Sequence, residues 1–270
     1  MTRALSFTSA KAFTECPLAY RLRYLDKVPT SPQAHLLAGS ACHRVIARYI
    51  EHLRETGQPT DPDALTGFAE EEAATLPPDV AESVRDTSGR FPSVFLLEAF
   101  PAETVLAEER IALDENLAVC SWEDPRTFFR AVVDLAVIHD SRARIVDWKT
   151  GYSMIHDPAQ GLAYFLALNR AFGVTEASVE FLFVRHGKVI GPIDFGEEDI
   201  EAAERWVRAH AEKIAKEKNF SPTPGPHCSN CGYAGSVHCP ADLSAVSVIH
   251  TPEEARTSAA EVERLDGARK

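Results

Sequence analysis

Two aspartates and a lysine stand inside apolar stretches, where charge is expensive. In residues 128–151, FFRAVVDLAVIHDSRARIVDWKTG, two short β-branched runs flank the polar turn His139-Asp140-Ser141-Arg142. The pattern predicts a β-hairpin. Asp134 lies in the first run, Asp147 in the second, and Lys149 two residues after Asp147. Alternation of side chains along a strand puts Asp147 and Lys149 on one face. A turn near Ser141 sets Asp134 almost opposite Asp147. Two carboxylates so close repel unless a cation or a proton lies between them. Val132, Val133, Leu135, Val146 and Trp148 read as buried, which argues against a solvated surface hairpin.

A second constellation is made of thiols. Cys228 and Cys231 form a Cys-x-x-Cys and Cys239 follows, bracketed by Pro226 and Pro240. Three thiolates are one ligand short of a closed zinc or iron–sulfur site. The fourth ligand comes from Cys16, Cys42, Cys120 or the adjacent His238. Zinc held by three cysteines and His238 is the local solution; a cluster completed by Cys16 is the long-range one. Cys42 and Cys120 sit in apolar patterns and read as packed thiols. Six cysteines in a chain with no recognisable signal peptide point to metal ligation rather than disulfides.

The elements that must hold these groups follow from periodicity. Thr8 or Ser9 is expected to cap a helix through Phe13 and Cys16, and Pro17 to open a second one displaying Arg21, Arg23 and Lys27. Residues 36–54 predict a long helix carrying Gly39, His43 and Ile46. Residues 44–101 as a whole read as a helical, acidic, Pro-punctuated insertion rather than a second core. Residues 105–118 predict a strand, a Glu-rich turn and more strand. A helix over 157–172 and a strand over 178–184 make a crossover unit beside the hairpin, hence an α/β fold: a mixed sheet flanked by helices. A helix over 197–218 ends in lysines, which suits its dipole. Residues 220–240 are irregular, and 241–270 read as a polar tail. The expectation is a single domain over 1–240, with no internal repeat.

Charge qualifies the choice of partner. The net charge of −12 argues against a nucleic-acid partner taken as a whole. Its distribution does not: residues 1–50 hold seven Lys and Arg against two acids, while 51–125 hold 18 acids against four Arg. A locally basic segment is enough for phosphate contacts. No apolar run reaches the roughly 20 residues that span a bilayer, so a cytoplasmic protein with no membrane partner is expected.

Taken in order, these residues resemble the RecB-like, iron–sulfur branch of the PD-(D/E)XK nuclease superfamily, which includes the CRISPR-associated RecB-like exonucleases and the AddB nuclease domain. The resemblance covers most of residues 5–240. It rests on SFTSAKAFTECPLAYRLRYL; on Gly39-Ser40-Ala41-Cys42-His43; on Asp134 with Asp147-Trp148-Lys149-Thr150-Gly151; on Gln160 and Tyr164 in QGLAYFLAL; and on Cys228, Cys231 and Cys239. Val146 stands where the family's proline would be. The resemblance implies that His43, Asp134, Asp147 and the Trp148 carbonyl bind a divalent cation, Mg²⁺ or Mn²⁺. Hard ions of this kind suit carboxylates with an imidazole, polarise a phosphoryl oxygen and acidify bound water. It implies that Lys149 orients the attacking water or stabilises charge on the phosphate, and that Gln160 and Tyr164 position the strand. It also implies that Cys16, Cys228, Cys231 and Cys239 hold a [4Fe–4S] cluster stapling the C-terminal segment. The expected activity is exonucleolytic hydrolysis of single-stranded DNA or DNA ends. A helicase, recombination or CRISPR-type partner chain would supply any motor. The competing expectations are a non-catalytic DNA-binding or assembly module, and zinc at the cysteines.

Overall fold

The computed structural model describes residues 4–30, 33–91 and 104–241. The end of the helical stretch (92–101) and the tail from 242 onward lie outside these residues. The chain divides into two compact units, one built from 32–151 with 156–206, the other from 1–31, 152–155 and 207–270.

The first unit is organised on a six-stranded sheet of order β2-β1-β3-β4-β5-β6. Its strands are β1 (Thr104–Leu113), β2 (Val119–Cys120), β3 (Phe129–His139), β4 (Arg142–Lys149), β5 (Glu176–Phe183) and β6 (Lys188–Phe195). The predicted hairpin is β3–β4, with its turn at Asp140-Ser141 and Leu135 paired to Val146. β5 runs parallel to β4 while the other pairings are antiparallel, so the sheet is mixed. The expected crossover is the helix between β4 and β5.

Two expectations need correction. The turn expected within 105–118 does not fall at Glu108-Glu109 but after β1, at 114–118, before β2. β1 itself runs from Thr104 to Leu113 and pairs with β3 on either side of Glu108. Its partner strand is continuous and apolar, and that ladder outweighs the local charge. Within β1, Glu108 takes a positive φ, 51°. In addition, β6, which follows a tight turn at Gly187, extends the sheet beyond the strands predicted.

Helices cover both faces. On one side lie α3 (Ala34–Thr56), α4 (Pro62–Ala73) and α5 (Pro78–Gly89). The stripe Ala38, Ala41, Cys42, Val45, Ile46, Tyr49, Ile50 and Leu53 recurs at helical spacing along α3. It packs with Leu65, Val80, Val84 and Phe91 onto Leu135, Val137, Val146, Trp148 and Leu182 of the sheet. The helical stretch therefore belongs to the sheet's own core. On the other side lies α6 (Pro158–Phe172). Asp157 caps it by accepting from the Ala159 N–H, Pro158 opens it, and Gly173 at φ 70° ends it.

Close approach of α6 to β5 depends on Gly161. A Cβ there would lie 3.1 Å from both Val179 Cγ1 and Phe195 Cε2. Val179 is fully buried and Phe195 stacks on Phe165, so neither can yield cheaply. Gly161→Ala is expected to cost about 1–3 kcal/mol by overpacking. A lowered thermal midpoint would show it, and an unchanged one would contradict it.

The second unit holds α1 (Phe7–Glu15), α2 (Pro17–Tyr20, continued by a π-helical turn Arg21–Leu25) and the Cys-rich segment. The helix α7 (Glu197–Lys216) contributes its second half to this unit. The N-cap of α1 is Ser6, not Thr8 or Ser9. Ser6 and Ser9 form a reciprocal capping box, which satisfies two backbone N–H groups where a cap at Ser9 would leave the preceding turn unformed. Phe13, Tyr20 and Phe220 pack together, with Tyr20 and Phe220 stacked at 6.4 Å. The Tyr233 hydroxyl donates to the Val28 carbonyl at 2.9 Å. These contacts tie the Cys-rich segment to the N-terminal helices.

Candidate active site

The hairpin brings its acids together as its sequence predicts. Asp134 and Asp147 are 5% and 1% exposed. No helix or strand ladder explains charges at that depth; their neighbours do. Asp134 accepts the Trp148 backbone N–H through Oδ2 at 3.1 Å, which ties the two strands beyond the last ladder pair. Its Oδ1 lies 3.4 Å from His43 Nδ1. The same His43 nitrogen lies 3.1 Å from Glu108 Oε1. The ligand atoms of His43, Glu108 and Asp134 all fall within 4.8 Å of one another, a spacing that can hold a metal ion.

Asp147 is engaged on its other side. Its Oδ1 accepts from Gln160 Nε2 at 2.6 Å and from the Tyr164 hydroxyl at 3.0 Å. Its Oδ2 lies 2.7 Å from Lys149 Nζ. Lys149 also donates to Gln160 Oε1 at 2.7 Å. Gln160 and Tyr164 are four residues apart on α6, so they share a helix face and both reach the acid. The aromatic wall is Trp148, whose ring meets His43 and Phe91 edge-on at 6.0 and 5.8 Å.

The titration behaviour follows from burial and crowding. Burial lifts the Asp134 carboxyl to about 6, opposed by His43 and assisted by the Asp147 charge. Burial also works against a charged His43. The Asp134 charge and the hydrogen bonds to Asp134 and Glu108 outweigh it, and raise the imidazole well above its ordinary value. Burial and the Asp147 charge push the Tyr164 phenol well above its ordinary value, so it acts as a neutral donor. The site gathers three carboxylates around one imidazole and one ammonium.

Every sequence-predicted residue of the hairpin site is in this cluster: His43, Asp134, Asp147, Trp148, Lys149, Gln160 and Tyr164. Glu108 was missed. It sits in an acidic pair that reads as a solvated turn, and only the β1–β3 register reveals that it faces Asp134. Among the predicted ligands, His43 and Asp134 group with Glu108, whereas the oxygens of Asp147 meet Lys149, Gln160 and Tyr164.

In the second unit, Cys16, Cys228, Cys231 and Cys239 line one cavity. Burial raises the Cys231 thiol; the Tyr233 and Ala234 N–H groups at its sulfur pull the other way, and Cys16 and Cys228 add to the rise. His227 also lines the cavity, with a buried Nε2 that meets no partner among the described residues. His238 is exposed and does not line it. Cys42 is buried in the core of the first unit, and Cys120 stands beside Thr127.

The mixed sheet thus gathers two buried acids, a lysine and a histidine–glutamate flank, a donor set that can hold a divalent metal ion. The chain belongs to the PD-(D/E)XK nuclease superfamily, whose family model matches residues 4–236. That superfamily comprises metal-dependent nucleases. No curated protein matches. A solved structure titled "Crystal structure of SSO0001" is similar, with 13% identity over 84% of this chain and 96% of that one, at a TM-score of 0.31. No helix among the described residues is long and apolar enough to cross a membrane.

Proposed function

We propose that the protein is a divalent-metal-dependent deoxyribonuclease of the RecB-like kind, acting as an exonuclease on single strands or DNA ends, with a [4Fe–4S] cluster in its second unit. The observation that carries the catalytic reading is the paired burial of Asp134 and Asp147 beside Lys149, His43 and Glu108. The donor set of carboxylates and one imidazole fits Mg²⁺ or Mn²⁺. His43, Glu108 and Asp134 would hold the ion, with Asp147 and the Trp148 carbonyl completing its shell. Bound there, it supplies Lewis acidity toward the phosphoryl oxygen and a water of lowered pKa. Lys149 presents its ammonium to the same space and carries charge that builds on the phosphate. Gln160 and Tyr164 fix the Asp147 carboxylate in orientation. The test is degradation of labelled single- and double-stranded DNA, linear and circular, with Mn²⁺ and with chelator. An absence of metal-dependent cutting on all four substrates would leave the non-catalytic binding module as the better reading.

Four thiols on one cavity, with backbone N–H groups directed at Cys231, fit a four-cysteine cluster better than a zinc site through His238. A DNA substrate inside the cytoplasm, reached through a partner helicase, recombination or CRISPR-type chain, is the setting this reading implies.

Metal binding and pH should be linked with a definite sign. Both His43 and Asp134 have folded pKa values raised above the ordinary ones, about 6.5 and 3.9. The metal-free folded state therefore holds more protons than the unfolded one. The His43 contribution is present below its unfolded value and is lost as pH rises through the folded one. Deprotonating Asp134 between about pH 4 and 6 costs stability as well. A cation replaces those protons, so its affinity rises with pH. The Mn²⁺-induced rise in thermal midpoint is expected to be larger at pH 8 than at pH 5.5. Equal shifts at the two pH values would contradict the assignment of these ligands.

A further inference from the structure

Most arginines of the sheet unit are spoken for. Arg44, Arg48, Arg85, Arg90, Arg142, Arg144 and Arg170 each meet a carboxylate. Among the described residues, Arg54 meets the Val105 carbonyl and no carboxylate, and Arg110 and Arg130 likewise meet no carboxylate. They face an indole instead: Arg110 Cζ lies 5.5 Å, and Arg130 Cζ 5.0 Å, from the centre of the Trp122 ring. Arg130 also donates to the Trp122 carbonyl, which pins the residue, while its buried Nε has no partner. Arg110 is exposed.

The location matters more than the stack. Arg130 and Asp134 are four residues apart on β3, two pleats along the same face, or about 13 Å. Arg110 pairs in register with Val132, between them, and stands two residues from Glu108 on β1. In a chain of net charge −12 whose sheet unit pairs most of its arginines with acids, these two guanidiniums without acids lead away from the acid cluster. A guanidinium matches a phosphate with parallel hydrogen bonds, and stacking on an aromatic face does not use up its donors. An indole offers a base a π-face regardless of sequence.

We propose that Trp122, Arg110 and Arg130 form a strand-docking platform for single-stranded DNA beyond the scissile phosphate. Arg130 holds the indole in place, Arg110 takes a backbone phosphate, and the face of Trp122 that Arg110 then uncovers stacks a base. The proposal rests on the nuclease reading of the site. The three residues bind substrate and do not touch the reacting atoms.

The test uses the full chain carrying Asp147→Asn, titrated with a fluorescein-labelled single-stranded oligodeoxynucleotide over a range of salt. Arg110→Ala is expected to weaken binding about tenfold and to lower the slope of log affinity against log salt by about 0.7. Trp122→Leu is expected to weaken it about tenfold to a hundredfold, and Trp122→Phe to retain most of it. Binding of unlabelled strand should quench tryptophan fluorescence, and Trp122→Phe should remove that quenching. Arg126→Ala, exposed on the same loop and paired with Asp124, should change nothing. Unchanged affinity and slope in Arg110→Ala, or quenching that persists in Trp122→Phe, would overturn the platform even if Trp122→Leu fails to fold. If the Asp147→Asn chain binds no DNA and the unsubstituted chain cuts none, the nuclease reading itself has failed, a result distinct from loss of the platform alone.

Discussion

Asp147→Asn is expected to lower DNA cleavage in Mn²⁺ by at least about a thousandfold, an effect of roughly 4 kcal/mol on the barrier. The substitution keeps the side chain's size and one oxygen, so Tyr164 and the amide of Gln160 retain an acceptor in place of the carboxylate they now meet at 3.0 and 2.6 Å. What it removes is the charge facing Lys149 at 2.7 Å. The site then offers less negative charge to a cation, and Lys149 loses the partner that orients it. Folding should survive, because the surrounding core of Leu135, Val146, Trp148 and Leu182 is untouched. The measurement is cleavage of labelled single-stranded DNA by the repurified variant, with its thermal midpoint taken alongside. Cleavage at the original rate, still blocked by chelator, would remove Asp147 from the mechanism.

The second large effect is expected at Cys16. Protein prepared without oxygen should be brown, absorb near 400 nm and carry about four irons per chain if the four thiols hold a cubane cluster. Cys16→Ser should abolish the colour and most of the iron. A buried site that lends its binding energy to folding also takes that energy away when a ligand goes. The Phe13, Tyr20 and Phe220 cluster and the Tyr233-to-Val28 bond alone are a small core. Loss of a cooperative transition in this unit should therefore accompany loss of iron, with the β-sheet signal preserved. A colourless native protein with one zinc per chain would replace the cluster by zinc.

The hairpin was legible because charge inside an alternating apolar run is a rare pattern with few physical outlets. Strand alternation placed Lys149 beside Asp147 and helical periodicity predicted the crossover helix, but Gln160 and Tyr164 entered the site only through the family resemblance. Glu108 was illegible for the opposite reason. Next to Glu109 it looks like solvated charge, and its role depends on a long-range register that no local pattern encodes. β6 escaped notice because Gly191 and Pro192 interrupt its apolar run. The cap at Ser6 was displaced from the expected Thr8 or Ser9 because serines recur there, and only the reciprocal bonds between Ser6 and Ser9 decide among them. Cys16 and the Cys228–Cys239 group are each readable in the sequence. Their meeting in one cavity follows from no local pattern, since more than two hundred residues separate them, and was expected only from the family resemblance.

That separation bears on how the chain matures in the cell. A thiol set whose first member precedes the other three by more than two hundred residues cannot be complete until Cys239 has left the ribosome. A chain that stops before Phe220 leaves Phe13 and Tyr20 without the ring that packs against them, and one that stops before Cys228 lacks three of the four thiols. Burial of the four thiols in one cavity therefore waits on synthesis through Cys239.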